Sequence, residues 1–508
     1  MGPEHNSRSD RNTLRVVALV VFFLVVFMRG WMCDDAFISM RVVDNLVHGF
    51  GLTFNPDERV QGFTNPLWVL LLALPHHLVH DPYWSCIGTS LVVAVAGAIV
   101  LTYFVARDAV VAALALVALA FTQAYADFST SGLENPLSHL LLIAFLAIYL
   151  NPEWRLRHAQ WAWLLGGLVL VNRLDGILVV LPALIHLWTK LSWKRSLRFA
   201  LIGLSPFVAW ELFSLVYYGF FIPNTAISKL GVDIARSEMM GQGLVYLVDC
   251  LEHDPLTGLL IAGGVTVGWL HSDWSRRHVA LGILLHLLYV VWIAGDFMAG
   301  RFLSVPLIAA VCLLVASAPE RPDPAQLASA AALIGVVILL SPHNPFRANP
   351  KPQGVPPSGV VNERDWYLDN TGVLANLRRA AYKLHGWYRE GRAMADAGKV
   401  AEQHCNAGLS GYAAGPHVHI LDLAALTDAF LARLKYEYRP DWRAAHYGRP
   451  TPAGYLETLR TGQNQIVDPK LREYYEKIRL VVRGPLFTAE RWITIWKLNT
   501  GAYDYLLE

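Results

Sequence analysis

The stretch MRGWMCDDAFISMRVVDNL, residues 28–46, decides how the rest of the chain is interpreted. It follows an apolar run from about Val16 to Phe27, and two adjacent carboxylates, Asp34 and Asp35, stand within a few residues of the end of that run. A carboxylate at the end of a membrane span can simply be solvated. A partly desolvated carboxylate has a raised pKa and suits a base that takes a proton from a hydroxyl group. The pair therefore marks a candidate site at a membrane surface.

The composition is that of a polytopic membrane protein. The chain has 508 residues, of which 54% are hydrophobic and 16% charged, whereas about a quarter of the residues of a soluble domain are charged. Many apolar runs approach the roughly 20 residues that cross a bilayer. The first run lacks a small-residue cleavage site, so we interpret it as an uncleaved signal anchor. The formal net charge of +2 gives no reason to expect a nucleic-acid partner.

A change of composition divides the chain in two. The segment SPHNPFRANPKPQGVPPSG, residues 341–359, is rich in proline and glycine and is typical of a linker. We predict an all-α membrane domain over 1–341 and a smaller soluble α/β domain over 342–508. In the second part the pattern predicts helices at 373–390 and 470–482, a strand in HVHILDL, and a strand, turn and helix in LDLAALTDAFLAR with Thr427 as a possible helix cap.

Basic loops fix the predicted orientation, because Lys and Arg favour the cytoplasmic side. Placing each basic cluster inside gives about eleven spans, at roughly 14–31, 86–105, 109–124, 136–150, 160–171, 175–189, 197–218, 256–271, 278–295, 302–318 and 325–341. The apolar stretch 66–78 is too short for an ordinary span and suits an interfacial or re-entrant helix. The polar motifs and the C-terminal domain are then extracytoplasmic.

The five cysteines, Cys33, Cys86, Cys250, Cys312 and Cys405, are too few and too irregularly spaced for a disulfide framework or a metal cluster. One bridge between exported cysteines stays open. The glycine-rich segment 408–415 lacks the spacing of a dinucleotide site.

Several exported loops carry further candidate residues. Glu134 lies where a predicted span begins, and a carboxylate there is costly unless it faces a polar partner. The alternative is a helix-capping carboxylate, since Pro136 follows at the first helical turn. Arg173 and Asp175 share one short turn and can form a local ion pair. The remaining candidates are Asp296 and Arg301 in GDFMAGR, Lys229 after a Pro-Asn turn, Arg41, Arg59 and His446.

A mixture of acids and bases on one face differs from an anion channel, where one sign dominates. It suits a site where cations hold a phosphate, which arginine binds in a bidentate manner, and acids handle hydroxyl groups. Outside the cytoplasm a sugar is delivered on a lipid phosphate, so transfer of such a sugar is the predicted chemistry. His446 is either a structural hydrogen-bonding group or part of this site. The tyrosines and the tryptophan at 442–475 form either a core or a sugar-stacking surface.

The motifs DDAFISMRVVDNLVHGFGLTFNPDERVQGFTNPLW and TSGLENPL resemble those of the GT-C superfamily of integral-membrane glycosyltransferases. GDFMAGRFL, LDLAALTDAFLAR, AAHYGRPTPAGYLETL and KLREYYEKIRL resemble the branch of bacterial cell-envelope arabinofuranosyltransferases. The resemblance implies a catalytic aspartate at Asp34 or Asp35, one acting as base and the other orienting a substrate, and a second acidic position at Glu134. The element AGDFM has Ala294 where glycine is common, which puts only the local backbone geometry in doubt.

The resemblance also implies the reaction. The donor would be a polyprenyl-phosphate sugar, D-arabinofuranose being the favoured one, and transfer would invert the anomeric carbon. The acceptor would be a glycan or protein at the bacterial inner membrane, with the active site on the extracytoplasmic face. Some relatives bind a divalent cation, Mg²⁺ or Ca²⁺, so Asp34 and Asp35 are also candidate metal ligands. The alternatives are a hexose or aminosugar transferase, a lipid-linked sugar transporter, or an inactive glycan-binding scaffold.

Overall fold

The computed structural model describes residues 3–153, 155–342, 354–404 and 406–508, with the side chains of 3–9 excepted. Most of the predicted linker (343–353) and Cys405 lie outside these residues. The chain forms two compact units that alternate along the sequence. Unit 1 comprises Met1–Met32, Ile87–Phe207 and Arg236–Leu377, and unit 2 comprises Cys33–Cys86, Val208–Ala235 and Arg378–Glu508.

The regular secondary structure of unit 1 is helical among its described residues, apart from one isolated β-bridge between Met298 and Val361. Its helices are Pro3–Met28, Pro82–Val100 (which enters from unit 2 and continues as a π-helix, Leu101–Val105), Ala109–Phe121, Gln123–Ala126, Asn135–Tyr149, Leu156–Asn172, Ile177–Thr189, Trp193–Tyr217 (which continues into unit 2), Arg236–His253, Pro255–Leu270, Trp274–Trp292, Ser304–Ser317, Pro324–Leu340, Glu363–Thr371 and Val373–Arg378. Short 3-10 turns occupy Asp127–Ser129, Leu174–Gly176 and Arg301–Leu303.

Small residues let the helices of unit 1 approach one another closely. A Cβ atom added at Gly264 of helix Pro255–Leu270 would lie 2.5 Å from the Cβ of Ala310 in helix Ser304–Ser317. A Cβ added at Gly167 would lie 2.0 Å from the carbonyl oxygen of Gly203. Close contact between helix backbones through small residues is typical of membrane helices, where van der Waals packing and not the hydrophobic effect drives association.

Three helices of the described residues are long and apolar enough to cross a membrane: Asp10–Met28, Pro82–Val105 and Trp193–Tyr217. Ala109–Phe121 and Gln123–Ser129 make a fourth if this pair, bent by 79°, counts as one span. Six shorter apolar helices qualify by composition only, among them Pro66–Val79. The count of eleven spans therefore stays a prediction. The end of the membrane domain at residue 341 also stays a prediction, because the two units are defined by packing and not by a membrane.

Unit 2 contains the two strands among the described residues. Ala401–His404 and His419–Asp422 pair in parallel, with Ala401 opposite His419 and His404 opposite Asp422. The helices of this unit are Asp34–Val47, Pro66–Val79, Asn224–Leu230, Gly386–Asp396, Leu409–Ala414, Tyr455–Thr461, Pro469–Arg483 and Ala489–Asn499, with 3-10 turns at Ala381–Leu384, Leu431–Arg433 and Asp504–Leu506.

The aromatic residues of unit 2 form a core. Phe430 lies 4.8 Å from Tyr455 and 5.4 Å from Tyr475, between ring centroids. These rings and Tyr474 are buried together with aliphatic residues of helix Pro469–Arg483. Tyr447 is also buried. Packing, the simpler of the two interpretations of these tyrosines, is therefore confirmed.

The predicted local structure of the C-terminal part is confirmed for one strand and one helix, confirmed only in pieces for a second helix, and wrong for a third. The strand and the helix at 469–483 are present, and the helix predicted over 373–390 is broken into shorter pieces. The helix predicted after Thr427 is absent, and only the 3-10 turn Leu431–Arg433 forms there. Asp428 accepts a hydrogen bond from the backbone N–H of Leu431 at 2.7 Å, which stabilises a turn locally instead of a longer helix.

Candidate active site

The predicted site residues fall into two groups, one within each unit. Unit 1 holds the arginine–carboxylate cluster, which we define as Glu134, Arg173, Asp175, Asp296 and Arg301. Unit 2 holds Asp34, Asp35, Arg41, Arg59, Lys229 and His446.

Glu134 connects the two arginines of the cluster. It lies directly before helix Asn135–Tyr149, in which Pro136 occupies the first turn, and it is only 1% exposed. Its side chain makes no capping hydrogen bond, so the capping interpretation is wrong. Instead, its Oε1 accepts hydrogen bonds from Nη1 of Arg173 at 2.6 Å and from Nη2 of Arg301 at 3.5 Å.

Each arginine also binds a second carboxylate. Nε and Nη2 of Arg173 donate to the two oxygens of Asp175 at 2.9 and 2.5 Å, which confirms the local ion pair. Nη1 of Arg301 donates to Asp296 at 3.4 Å. Just before Asp296, Ala294 has φ = 71° and Gly295 has φ = 68°, so an alanine holds a left-handed conformation that glycine favours.

The electrostatics of the cluster keep Glu134 ionised. Burial raises the pKa of Glu134, but Arg173 and Arg301 outweigh burial and bring the pKa down to about 2. Both guanidinium groups also lie against the ring of Phe302, at 5.1 and 5.6 Å from its centroid. A cavity of about 20 Å³ lined in part by Ser138 and His286 adjoins them, which is enough for a water molecule.

Asp34 holds the start of a short helix in unit 2. Its Oδ1 accepts from the backbone N–H of Leu409 at 2.7 Å and its Oδ2 from that of Gly408 at 3.2 Å. A Cβ atom at Gly408 would lie 2.0 Å from the Asp34 carbonyl oxygen, so this approach needs glycine. Burial raises the pKa of Asp34 to about 7, against the lowering effect of the two N–H donors.

Asp35, the next residue, has a different environment. No hydrogen bond to its carboxylate is recorded from the described residues, and the side chain is partly exposed. Its charge acts on His446, which is solvent-accessible and whose Nδ1 lies 3.2 Å from the carbonyl oxygen of Ala444. Partial desolvation lowers the pKa of His446, Arg443 and Lys229 act in the same direction, and Asp35 opposes them. Asp35, Arg443 and Lys229 therefore all act on the pKa of His446 within unit 2.

Arg41 and Arg59 bind the protein itself. Arg41 is 2% exposed, and its guanidinium donates to the carbonyl oxygens of Phe54 and Val418 at 2.8 Å and also to that of Gly411. Arg59 donates to backbone carbonyls, including that of Tyr217 at 3.2 Å. In this geometry both arginines hold loops in place.

The sequence analysis missed three features. Arg443 acts on His446 from three residues away, and the basic character of DWRAAHYGR was the available signal. In unit 1, Arg29 forms a 2.5 Å ion pair with Asp127. In unit 2, His419 lies 3.0 Å from Asp57. The last two pairs join residues 98 and 362 positions apart, and the sequence carried no signal for either.

No group of three or more His, Cys, Asp or Glu side chains among the described residues is arranged to hold a metal ion. The described cysteines, which leave out Cys405, are buried, and no disulfide joins two of them. The divalent cation stays a prediction.

Two curated proteins are similar in sequence. Both are named terminal beta-(1->2)-arabinofuranosyltransferase. The one from Mycobacterium tuberculosis is 28% identical over 427 residues, covering 73% of this chain and 67% of its own length. The one from Corynebacterium glutamicum is 28% identical over 350 residues, covering 58% of this chain and 49% of its own length. The matches thus span between half and two thirds of these relatives. No family model matches the chain.

Two solved structures share the fold. ArnT from Cupriavidus metallidurans bound to undecaprenyl phosphate gives a TM-score of 0.53 at 16% identity, over 82% of this chain and 87% of that one. The apo form of the same protein gives a TM-score of 0.51 at 16% identity, over 83% and 87%. At this identity the likeness is one of fold.

Proposed function

We propose that this chain, an integral membrane protein with the GT-C fold of ArnT and sequence similarity to terminal arabinofuranosyltransferases, transfers D-arabinofuranose from a polyprenyl phosphate to an acceptor hydroxyl group. The names of the sequence relatives support the reaction, and the undecaprenyl phosphate bound to the fold relative supports a lipid-phosphate donor. The acceptor would be an envelope glycan or protein.

The observation that carries the mechanism is the difference between two adjacent aspartates. Asp34 uses both oxygens to accept backbone N–H groups of residues 408 and 409. Asp35 has no such partner recorded and acts electrostatically on His446. A general base needs a lone pair directed at its substrate. We therefore assign the role of base to Asp35 and a positioning role to Asp34.

The reaction then proceeds as a single displacement. Asp35 takes the proton of the acceptor hydroxyl as its oxygen forms a bond to the anomeric carbon, and the bond from that carbon to the phosphate oxygen breaks. The electron pair leaves with the polyprenyl phosphate, and the configuration at the carbon inverts. Lys229 and Arg443 are the cations that act on the same histidine as Asp35, and cations placed where phosphate charge develops stabilise the leaving group.

The arginine–carboxylate cluster of unit 1 differs from these cations in its net charge. It contains three carboxylates and two guanidinium groups. Arg173 forms ion pairs with Glu134 and Asp175, and Arg301 forms ion pairs with Glu134 and Asp296. The formal charge of the cluster is therefore negative, which disfavours a phosphate. We assign it no step of the proposed reaction, and the binding of donor or acceptor by these residues stays a prediction from the sequence.

Location and topology complete the proposal. The protein would lie in a bacterial inner membrane with about eleven spans, its catalytic residues and residues 342–508 on the extracytoplasmic face. Short basic loops on the other face and apolar helices at the predicted spans support this arrangement. No step of the proposed reaction passes through a metal ion.

The test uses purified full-length protein with polyprenyl-phosphate arabinofuranose and a glycan acceptor. Asp35→Asn should lower the rate at least about 100-fold, since a positioned base contributes roughly 10²–10⁴-fold. Asp44→Asn is the matched control: Asp44 lies on the same helix, Asp34–Val47, and bonds His76 at 2.8 Å, and this variant should keep most of the activity. Product formation by Asp35→Asn within threefold of the wild type would refute the assignment. Product only with a hexose donor would move the protein to another glycosyltransferase branch, and lipid translocation without transfer would identify a transporter.

A further inference from the structure

A second cavity lies in unit 1, away from the arginine–carboxylate cluster. It has a volume of about 430 Å³, within the range of roughly 300–1,000 Å³ that small-molecule sites occupy. It lies where helix Pro255–Leu270 ends and helix Trp274–Trp292 begins, and its lining residues are Trp269, Leu270, Trp274, Arg277, His278 and Leu281. None of these residues has a part in the proposed reaction.

The walls of this cavity are apolar and unusually accessible. Trp269 is 51% exposed, Leu270 76% and Trp274 61%. Trp269, next to the end of the apolar helix Pro255–Leu270, and Trp274, at the start of the next helix, are both exposed. Exposed tryptophans are typical of the boundary between hydrocarbon and headgroups, where the apolar body of an indole and its N–H group both find a suitable environment. A cavity between them suits the glycerol and headgroup region of a lipid.

The polar side of the cavity is cationic. The guanidinium of Arg277 lies 5.1 Å from the centroid of the Trp274 ring, and its Nε donates to the carbonyl oxygen of His271 at 3.0 Å. These two contacts fix the side chain, while no acceptor is recorded among the described residues for its terminal Nη atoms. Fixed in this way, the guanidinium can present two parallel N–H groups to a phosphate.

The neighbouring groups do not neutralise this arginine. His278 donates from Nδ1 to the carbonyl oxygen of Trp274 at 2.7 Å, and its ring stacks on His186 at 4.5 Å. The nearby acid, Asp273, forms a 2.7 Å ion pair with Arg276 and accepts from the backbone N–H of Ser275. No carboxylate lines the cavity, so its charge complements an anion.

We propose that this cavity binds a membrane phospholipid with an anionic headgroup. The phosphate pairs with the Nη atoms of Arg277, and the glycerol and first methylene groups lie against Trp269, Leu270 and Leu281. The lipid thereby anchors the turn at 271–273 between the two helices. The residues that line this cavity include none of the groups assigned above to the reaction.

The test is native mass spectrometry of the full-length protein in detergent, with phosphatidylglycerol or phosphatidylcholine added. The wild type should hold phosphatidylglycerol at least fivefold more than phosphatidylcholine. Arg277→Gln should remove this preference and keep transferase activity, which shows that the variant folds. The matched control is Arg195→Gln, which removes the same charge from an exposed position in the first turn of helix Trp193–Tyr217 and should retain the preference.

Four results would overturn the proposal. Equal binding of the two lipids would show an apolar groove without headgroup recognition. An unchanged preference in Arg277→Gln would place the anion elsewhere. A dimer that Trp274→Ala dissociates would show that a second copy of the chain covers the cavity. Inorganic phosphate should not displace the lipid, and displacement would identify a site for free phosphate.

Discussion

Adjacent residues of one helix can have separate tasks because their side chains leave its axis about 100° apart. Asp34 and Asp35 begin helix Asp34–Val47, and that angle directs one towards the backbone of residues 408–409 and leaves the other without a recorded partner. Two adjacent aspartates in a sequence do not show which of them binds the backbone and which one faces a substrate. The contacts of each carboxylate do.

The raised pKa of Asp34 predicts a pH dependence. With a pKa of about 7, the carboxylate is ionised above pH 7 and accepts two N–H groups, whereas below pH 7 one oxygen carries a proton and accepts poorly. We expect kcat/KM to fall as the pH drops through about 7. Asp34→Asn should lower kcat/KM at high pH and lack this transition.

The matched control for this profile is Asp422→Asn. Asp422 also accepts backbone N–H groups, from Ala424 at 2.9 Å and Leu426 at 2.7 Å, and burial raises its pKa to about 6. That variant should keep the transition near pH 7. If Asp34→Asn keeps it as well, another group titrates.

At the scale of elements, single side chains decide where helices begin and how they meet. Asp254 caps helix Pro255–Leu270: its Oδ1 accepts from the backbone N–H of Thr257 at 3.4 Å, and its Oδ2 accepts from the hydroxyl group of the same residue at 2.5 Å. The same carboxylate accepts from the backbone N–H of Ala124 at 3.1 Å. Ala124 lies just after the sharp bend behind helix Ala109–Phe121. The Asp254 carboxylate therefore connects the start of helix Pro255–Leu270 to the backbone after the bend at residue 122.

Asp254→Ala should destabilise the protein by about 2–4 kcal/mol. Loss of a cap costs about 1 kcal/mol, and a buried N–H left without a partner costs about 1–3 kcal/mol more. Asp323→Ala is the matched control, because Asp323 caps the N–H of Ala325 at an exposed helix start, and it should cost only about 1 kcal/mol. Thermal unfolding in detergent measures both. Equal losses would show that the contact with Ala124 contributes nothing.

At the scale of the whole molecule, the two units alternate along the chain, so neither is a contiguous segment. The N-terminal helix belongs to unit 1, the acidic pair directly after it belongs to unit 2, and the chain enters each unit more than once. Such a chain can bring the segment that follows the first helix and the C-terminal region into one unit. Asp34 and Leu409, 375 positions apart, are an example.

The predicted topology can be tested with single cysteines. Ser192→Cys lies in a basic loop predicted to be cytoplasmic, and Gln463→Cys lies in the predicted exported region, both at exposed positions. A membrane-impermeant maleimide should label Gln463→Cys in intact cells and Ser192→Cys only after permeabilisation. The parent chain, whose described cysteines are buried, measures the background. Labelling of both variants in intact cells would refute the eleven-span arrangement.

Features that depend on neighbours along the chain are predictable from the order of the amino acids alone. Apolar runs became helices, the 417–423 alternation contains a strand, and Arg173 pairs with Asp175 two residues away. Helix periodicity and short-range ion pairs follow from chain geometry, so spacing is sufficient to predict them.

The contacts between residues far apart in sequence became visible only in the folded protein. Arg301 reaches Glu134 across 167 positions, and Asp34 reaches residues 408 and 409. Arg41, expected to bind phosphate, is instead enclosed by carbonyl oxygens of its own unit. These contacts depend on how helices and loops pack, and packing depends on the combined shapes of residues far apart in sequence, which no local pattern records.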